Sequence, residues 1–367
     1  MAISVAQISF FSDPRGRAPA QLLQDWHTVP MLAEAAALGG ARVSVIQASA
    51  HTARFSRGGI DYHFLPCERE PAALQALLQT LQPEVLHVQG LGFAREVLSL
   101  AAMAPGCPIV LQDRADRPQR RPWAWLLQRR ALSAARGLMF SADAQAESFR
   151  RHRLIRAGTR IYELPGSSCS FVPRDPDEAR RTTGIHGDPC LLWVAHLDRN
   201  KDPLTVLDGV AMAAERLPGL QLWCCFGNAP LLDAVQARIA GDPRLAGRVH
   251  LLGALPHARV ELLMSAADFL VQGSHHESTG YSLLEALACG LPPLVTDIPS
   301  FRALTGDGAA GRLWTAGRPE TLAAALLQAA TEPRAAQRTA ARACFEARGS
   351  VEALGAKLAA AYADLLA

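Results

Sequence analysis

The sequence predicts an α/β protein of two doubly wound domains, each a parallel sheet with helices on both faces. Short apolar strands alternate with helical stretches along the chain, which is typical of βαβ units. A length of 367 residues fits two domains of moderate size better than one. A hydrophobic content of 49% with only 19% charged residues indicates well-filled cores rather than disorder.

The first half of the chain alternates strands and helices from its start. Apolar runs predict strands at residues 3–11, 41–47, 59–65, 84–89, 108–112 and 137–141. Helical stretches are expected between them, at residues 18–38, 71–82, 94–103 and 122–135. Gly39 and Gly40 end the first of these helices.

A second unit begins near residue 187. Its expected strands are residues 190–195, 220–226, 248–252, 269–272 and 294–296. Its expected helices are residues 203–216, 231–239, 260–265 and 281–289. The segment 164–176 is rich in Gly, Ser and Pro and is the expected linker. We therefore expect domains at 1–170 and 171–350, followed by a C-terminal helix within 351–367.

Composition limits where the protein resides and what it binds. No apolar run is long enough to cross a bilayer, and the N-terminus indicates a first strand rather than a secretory signal. We therefore expect a cytoplasmic protein. The eight cysteines form no C-x-x-C pair and no metal-like cluster with histidines, so we expect reduced, buried thiols and no metal. Cys224 and Cys225 are neighbours in one strand and should face opposite sides of the sheet.

Positive charge is concentrated in the first half. Six arginines lie close together and are interleaved with tryptophan and leucine: Arg114, Arg117, Arg120, Arg121, Arg129 and Arg130. Residues 149–160 add a second basic run. Two interpretations stay open: a solvated helix face, or a surface that contacts anionic lipid at the inner face of the membrane or a phosphate-bearing acceptor. The chain contains no nucleic-acid-binding module, so nucleic acid is not an expected partner.

Residues 274–297 are the most informative segment. Glu277 stands before a predicted helix, and Glu285 falls in its second turn. Between them, Ser278, Thr279 and Gly280 are small residues suited to a helix start whose free amides meet an anion. The helix itself is apolar nearly all round and should be buried. Two carboxylates with exposed helix amides between them suggest a site for a sugar that carries a phosphate.

The same segment resembles the donor-site signature of retaining GT-B glycosyltransferases of family four, the group 1 class. Those enzymes carry an E-x7-E pair at a strand–loop–helix junction of the C-terminal domain. The resemblance continues at residues 191–209 and 297–314 and covers most of 185–330. It implies two Rossmann-like domains facing a cleft, with an N-terminal acceptor-binding domain and a C-terminal nucleotide-sugar donor domain. It also implies that the last helix packs back on the first domain.

The resemblance assigns roles in the turn 196–202. In the family this turn holds an arginine and a lysine that grip the donor diphosphate. Lys201 matches the lysine, whereas His196 stands in place of the arginine and offers one neutral hydrogen bond instead of a charged fork. Arg199 is the candidate replacement for that arginine. The alternative for Lys201 alone is a solvated turn lysine.

Further roles concern the helix and two loops. Glu277 would contact the sugar hydroxyls of the donor, and Glu285 would accept hydrogen bonds from the ribose. The ribose role would explain a buried carboxylate without a basic partner. Backbone amides at the helix start would contact the distal phosphate. These are the amides of Ser278, Thr279 and Gly280. Loops at Gly227 and Gly253 would border the base and the phosphates, although each is equally well a plain turn.

On the N-terminal side, Arg114 stands where the family often has a histidine near the reacting centre. Arginine cannot act as a base near neutral pH, so Asp113 is the nearest proton acceptor. The leaving phosphate oxygen is the alternative base in retaining transfer. His87 and the loop 13–17 also follow strands and are candidates for the acceptor side, with a core role the expected one for His87.

We therefore expect a metal-independent retaining glycosyltransferase that uses a nucleotide-diphosphate sugar as donor and needs no cofactor. The acceptor would be a glycan, a lipid-linked molecule or a small molecule, in cell-envelope or exopolysaccharide synthesis. Two alternatives remain. One is a GT-B sugar-nucleotide epimerase or hydrolase, and the other is a non-catalytic relative that binds nucleotide sugars.

Overall fold

The chain divides into two compact units in the computed structural model, which describes residues 2–67 and 70–367. One unit comprises residues up to Ser168 together with Ser350–Ala367, and the other comprises Cys169–Gly349. The division falls inside the segment 164–176, whose Gly, Ser and Pro content marks it as a linker. Each unit is built on its own sheet.

The first unit contains an eight-stranded sheet. Its strands are β1 (Ser4–Ser9), β2 (Arg42–Ala48), β3 (Ala53–Arg57), β4 (Ile60–Leu65), β5 (Val85–Gln89), β6 (Ile109–Gln112), β7 (Gly137–Phe140) and β8 (Arg160–Glu163). The strand order is β3-β4-β2-β1-β5-β6-β7-β8. All neighbours are parallel except β3 and β4, which form an antiparallel hairpin. The hairpin turn is Gly58-Gly59, and both glycines have positive φ, as a tight two-residue turn requires.

Six helices of this unit connect its strands. They are α1 (Pro19–Asp25), α2 (Thr28–Leu38), α3 (Pro71–Leu81), α4 (Ala94–Met103), α5 (Pro122–Ala134) and α6 (Asp143–Arg151). The single helix expected at 18–38 is wrong, because the chain breaks between α1 and α2. Pro30 explains the break: it has no amide to donate to a preceding turn, so it is accommodated only in the first turn of a new helix.

The second unit contains a six-stranded, wholly parallel sheet. Its strands are β9 (Cys190–Val194), β10 (Gln221–Cys225), β11 (Val249–Gly253), β12 (Phe269–Gln272), β13 (Pro293–Thr296) and β14 (Arg312–Trp314). The order is β11-β10-β9-β12-β13-β14. The chain therefore moves outward from β9 in one direction and then returns to the other side of β9 with β12. This reversal is a topological switch point, the place where doubly wound sheets bind ligands.

Helices cover both faces of the second sheet. They are α7 (Pro176–Thr183), α8 (Pro203–Ala214), α9 (Leu232–Ala240), α10 (His257–Ala266), α11 (Tyr281–Ala288), α12 (Pro299–Thr305), α13 (Pro319–Ala330) and α14 (Arg334–Arg348). Two buried clusters lie on opposite faces, and Cys224 belongs to one while Cys225 belongs to the other, as predicted. The expected doubly wound α/β class is confirmed for both units.

The last helix, α15 (Val351–Leu366), belongs to the first unit. It packs on α2, and its buried side chains Leu354, Leu358 and Tyr362 join the cluster on that face of the first sheet. The two helices approach closely at Gly39 and Gly355, where an added Cβ would overlap the backbone of the other helix. In the described part of the chain, no helix is long and apolar enough to cross a membrane.

Candidate functional site

The switch point of the second sheet brings two sequence motifs together. The lysine turn, residues 196–202, follows β9, and the motif loop, residues 273–280, follows β12. Because β9 and β12 are adjacent and parallel, both segments leave the same carboxyl edge of the sheet. Two stretches some 75 positions apart in sequence therefore form one site.

Hydrogen bonds fasten the lysine turn to the motif loop. The amide of His275 donates to the carbonyl of Asn200 over 2.8 Å, and the Asn200 side-chain amide donates to the carbonyl of His276 over 3.0 Å. The His275 ring also lies 3.0 Å from a carboxylate oxygen of Asp202. Gly273 permits this contact, because an added Cβ there would lie 2.9 Å from the carbonyl oxygen of Lys201. The two segments are thus joined into one hydrogen-bonded piece.

Within this piece, Lys201 and Glu277 form a direct ion pair between Nζ and Oε1. The two side chains are only 19% and 14% exposed. Such a partly buried pair is more strongly coupled than a surface salt bridge. An ammonium carries three donors, so Lys201 can hold the carboxylate and still contact an anion beside it.

Helix α11 begins at the end of the motif loop. Gly280, the residue before its first turn, has a φ of 87°, a left-handed conformation that favours glycine. A Cβ at this position would also overlap the ring of Phe301. Gly280 has no side chain with which to cap the helix, and the positive end of α11 lies at the carboxyl edge of the sheet, shortly after Glu277 in the chain.

The surroundings of Glu285 differ from those expected from the sequence. It was expected to be a buried carboxylate without a basic partner, and that expectation is wrong. Its Oε1 lies 2.8 Å from Nε2 of His257, and its side chain is 18% exposed. The His257 ring packs against Phe171, with ring centroids 4.3 Å apart. His257 therefore holds Glu285 in place, a contact that bridges α10 and α11.

A pocket of about 350 Å³ opens at this edge of the sheet. Four predicted site residues line it: His196, Lys201, Gly227 and Glu277. The sequence analysis did not anticipate the rest of the lining, which is Val194, Ala195, Cys225, Phe226, Ala254, Leu255, Val260, Tyr281 and Ser282. Most of these are apolar residues at strand ends and in the first turn of α11, so the pocket combines a charged wall with an apolar one.

The remaining predicted donor residues lie around the pocket rather than on its lining. Arg199 is exposed on the lysine turn, and Ser278 is half-buried in the motif loop. Thr279 and Gly280 are buried beneath the start of α11. Gly253 ends β11 with a φ of 71° and accepts a hydrogen bond from Phe226, which fixes the loop next to Ala254.

His196 is exposed and stands beside the loop that follows β10. Its Nδ1 accepts a hydrogen bond from the amide of Asn228 over 3.2 Å. A Cβ at Gly227 would lie 3.6 Å from the His196 ring, which is ordinary van der Waals contact. The imidazole therefore serves as a bridge between two loops, a role that an arginine at this position would not reproduce.

The two candidate catalytic residues of the first unit lie after β6. Asp113 is 5% exposed and accepts a hydrogen bond from the amide of Asp116 over 3.0 Å. Burial, together with the nearby charge of Asp116, raises the pKa of Asp113 to about 6. Arg114 donates a hydrogen bond to Gln89 over 2.7 Å. The first unit thus presents a carboxyl group whose pKa lies close to neutrality, next to a fixed cation.

His87 is a core residue, as expected. It is fully buried, and its Nδ1 lies 2.8 Å from the hydroxyl of Tyr362 in α15. Burial, aided by the charge of Arg114, lowers the pKa of His87 to about 3, so the ring is neutral. In the loop 13–17, Asp13 and Arg17 pair with each other over 3.0 Å.

Metal ligands and cysteines complete the inventory. Among residues 2–67 and 70–367, no group of three or more His, Cys, Asp or Glu side chains is placed to hold a metal ion. All eight cysteines are free thiols, and five of them are buried.

With this geometry established, comparison with known proteins identifies the class. Residues 175–344 match the family model described as glycosyl transferases group 1. The matched region is a little under half of the chain and lies in the second unit, and it contains both the lysine turn and the motif loop. This confirms the family that the sequence resembles.

Curated relatives carry glycosyltransferase names. The chain is 31% identical to the D-inositol 3-phosphate glycosyltransferase of Geodermatophilus obscurus over 58% of this chain and 49% of the relative. It is 29% identical to the 2-deoxystreptamine N-acetyl-D-glucosaminyltransferase of Streptomyces fradiae over 74% of this chain and 68% of that one. A GDP-mannose:cellobiosyl-diphosphopolyprenol alpha-mannosyltransferase of Xanthomonas campestris is 25% identical over 76% and 71%. The chain spans about half the length of several of these curated relatives.

Solved structures support the fold. The sucrose-phosphate synthase of Thermosynechococcus elongatus matches with a TM-score of 0.74 at 18% identity and covers 99% of both chains. The Anabaena protein HepE in complex with UDP matches with a TM-score of 0.70 at 17% identity, over 99% of this chain and 100% of that one. At these identities the likeness concerns the fold, which is the GT-B fold of glycosyltransferases.

Proposed function

We propose that this protein transfers a sugar from a nucleotide-diphosphate sugar to an acceptor. The observation that carries the proposal is the pairing of Lys201 with Glu277 in a pocket at the start of α11. Breaking the bond between a sugar and a diphosphate places negative charge on the phosphates and positive charge on the sugar ring. A cation and a carboxylate held side by side match that separation of charge.

Residues in the pocket and next to it have separate roles in this proposal. Lys201 and the positive end of α11 contact the diphosphate, and Glu277 contacts the hydroxyls of the transferred sugar. Glu285 accepts hydrogen bonds from the ribose, and His257 keeps its carboxylate oriented. The apolar wall, which includes Phe226 and Leu255, suits the face of a nucleobase.

Lys201 supplies the positive charge that a bound metal supplies in other transferases, so we propose that transfer is metal-independent. We also propose that transfer retains the configuration of the anomeric carbon, as in the family four enzymes that the motif resembles. The raised pKa of Asp113 suits a group that takes up a proton near neutral pH, with Arg114 as its electrostatic neighbour.

The acceptor is the open part of the proposal. The names of the relatives include an inositol phosphate, an aminocyclitol and a diphosphopolyprenol-linked sugar as acceptors. We propose a glycan, lipid-linked or small-molecule acceptor, with cell-envelope or exopolysaccharide synthesis as the setting.

A second candidate is a relative that binds nucleotide sugars without turning them over. The bridging role of His196 favours it, because a histidine tied to Asn228 replaces the arginine that typifies the family turn. Under this alternative the pocket binds the donor, but no sugar is transferred.

The test begins with thermal-shift screening of the full chain against a panel of UDP-, GDP-, ADP- and dTDP-sugars. The proposal predicts stabilisation by one nucleotide series. The stabilising donor is then incubated with acceptor pools, and the product is analysed by NMR, where the coupling constant at the anomeric carbon reports the configuration. Binding without product from any pool supports the second candidate, and no stabilisation by any nucleotide sugar contradicts both.

A further inference from the structure

The first unit contains a basic segment without acidic residues, and none of its residues lines the donor pocket. Residues 117–142 contain six arginines and no Asp, Glu or Lys. Helix α5 lies at its centre. On the outward side of α5, Trp123 is 63% exposed and Leu126 is 43% exposed, and Arg130 lies one turn further along the same face. Residues three apart on a helix are neighbours, so Trp123 and Leu126 form an apolar patch beside the cluster of positive charge, a combination found at interaction sites.

We call this region the arginine–tryptophan surface. It consists of Arg117, Arg120, Arg121, Trp123, Leu126, Arg129 and Arg130, all of them exposed. Within the described residues, none of its five arginines takes part in an ion pair. The neighbouring helix α6 differs, because its Arg150 pairs with Asp143 over 2.7 Å. The positive charge of the surface is therefore not neutralised by the protein itself.

Contacts of α5 with the neighbouring segments hold the surface in place. Gln128 is 1% exposed on the inner side of α5, and its oxygen accepts a hydrogen bond from the amide of Gln119 over 2.9 Å. This bond ties the basic loop before α5 to the helix. Trp125 donates from its indole to the carbonyl of His152 over 2.8 Å, and the Arg129 guanidinium stacks 5.3 Å from the Trp125 ring. The second basic run is thereby joined to the first.

We propose that the arginine–tryptophan surface docks on an anionic lipid bilayer. Trp123 and Leu126 enter the headgroup layer, while the surrounding arginines contact lipid phosphates. The surface belongs to the first unit, whereas the donor pocket lies wholly within the second, so docking stands independently of the proposed transfer activity.

The composition of the surface favours a bilayer over nucleic acid. In nucleic-acid-binding proteins, cationic side chains contact the phosphodiester backbone and aromatic rings stack on the bases. An exposed aliphatic side chain such as Leu126 contributes to neither contact, but it is stabilised by transfer into the acyl boundary. Tryptophan is enriched at membrane interfaces, since its ring is apolar and its N–H remains in contact with water.

The test is co-sedimentation of the full chain with vesicles of phosphatidylcholine and phosphatidylglycerol at 70:30, compared with pure phosphatidylcholine. We expect binding to the anionic vesicles at 0.1 M salt and its loss at 0.5 M, because salt screens the arginines. Arg120→Glu with Arg130→Glu should weaken binding by about tenfold or more. Trp123→Ala should weaken it about fivefold, because its apolar insertion is lost.

The matched control is Arg42→Glu with Arg57→Glu, which makes the same change in charge at exposed positions of β2 and β3, strands on the other side of β1 from β6 and β7. It should bind vesicles nearly as the unaltered chain does, and circular dichroism checks that both double variants are folded. Equal losses in the two double variants would show a response to net charge alone and overturn the proposal. Retention on DNA without binding to anionic vesicles would overturn it as well.

Discussion

At the scale of single residues, the two glutamates of the motif occupy different surroundings. Glu277 is paired with Lys201, whereas Glu285 is held by His257. Ribose is present in substrate and product nucleotides alike, but the transferred sugar is present only in the donor. We therefore predict that Glu285→Ala weakens binding of the free nucleoside diphosphate and that Glu277→Ala mainly lowers kcat.

Calorimetry with the free nucleoside diphosphate separates the two glutamates, and steady-state kinetics with the donor follows kcat. Glu277→Ala should retain nucleotide affinity, because Lys201 remains available to the diphosphate. An equal loss of nucleotide affinity in both variants would mean that the assigned roles are wrong.

The substituted turn supports a second prediction. A charged hydrogen bond contributes about 1.5–3 kcal/mol and a neutral one about 1 kcal/mol, so His196→Arg should raise nucleoside-diphosphate affinity by up to about tenfold. Loss of the bond to Asn228 will reduce that gain. Arg199→Ala should have little effect, since Arg199 does not line the pocket.

Calorimetry on both turn variants provides the measurement. If Arg199→Ala proves the damaging change and His196→Arg has no effect, then Arg199 rather than residue 196 contacts the phosphates.

Asp113 leads to a prediction about pH. Its folded-state pKa is raised to about 6 from an ordinary value of 3.8, because burial disfavours the charged form. Between these two values the folded chain keeps a proton that the unfolded chain has released. The stability that Asp113 contributes is therefore present at low pH and is lost as pH rises from about 4 to about 6. The loss should be about 3 kcal/mol, since each pKa unit corresponds to about 1.4 kcal/mol.

Asp113→Asn should remove this part of the pH dependence, because asparagine does not titrate and can still accept from the amide of Asp116. Urea unfolding of both proteins at several pH values between 4 and 7 measures the difference. The same slope of unfolding free energy against pH in both proteins would contradict the raised pKa.

At the scale of elements, the start of α11 depends on Gly280. Its φ of 87° and the nearby Phe301 ring both exclude a side chain. We predict that Gly280→Ala destabilises the second unit by about 2–4 kcal/mol, since strain and overlap add. Nucleotide affinity should fall as well, because the helix amides shift.

Gly247→Ala is the matched control. Gly247 also has a positive φ, 73°, but no atom lies within 4 Å of an added Cβ. Gly247→Ala should lower the free energy of unfolding only by the backbone strain, about 1–2 kcal/mol. Thermal unfolding compares the two, and equal destabilisation would mean that Phe301 plays no part.

Some helices and strands could be predicted from the sequence, and others could not. The helix at 281–289 was predictable because its residues are apolar nearly all round and Gly290 ends it. β14 has only three residues, and β3 is a polar edge strand with a mostly exposed surface, so neither has an apolar pattern. The break between α1 and α2 depends on Pro30, whose position in a first turn is apparent only once the break is known.

The candidate site was predictable where local sequence specifies it. Glu277, Lys201 and the helix start lie in short motifs, and the parallel strand order brings them together. The contact between His257 and Glu285 could not be predicted from local sequence. It joins two helices over 28 positions, and no local pattern specifies how these helices pack. The apolar lining, such as Phe226 and Leu255, follows strand ends and has no distinguishing signal in the sequence.

At the scale of the whole molecule, the two units carry different chemistry. The second unit holds the pocket that Lys201 lines, and the first unit contains Asp113, Arg114 and the arginine–tryptophan surface. The sequence contains 37 lysines and arginines, of which only Lys201 and Lys357 are lysines. Lys357 is exposed on α15 in the first unit and is a natural control for Lys201.

The central claim is that the second unit grips the diphosphate of a nucleotide sugar through Lys201, without a metal. Its most direct test is calorimetric titration of the full chain with UDP and GDP in the presence of a chelator. We predict binding of one nucleotide by the unaltered chain, a loss of about tenfold or more in Lys201→Ala, and no change in Lys357→Ala. Unchanged affinity in Lys201→Ala, or binding that appears only when magnesium or manganese is added, would contradict the claim.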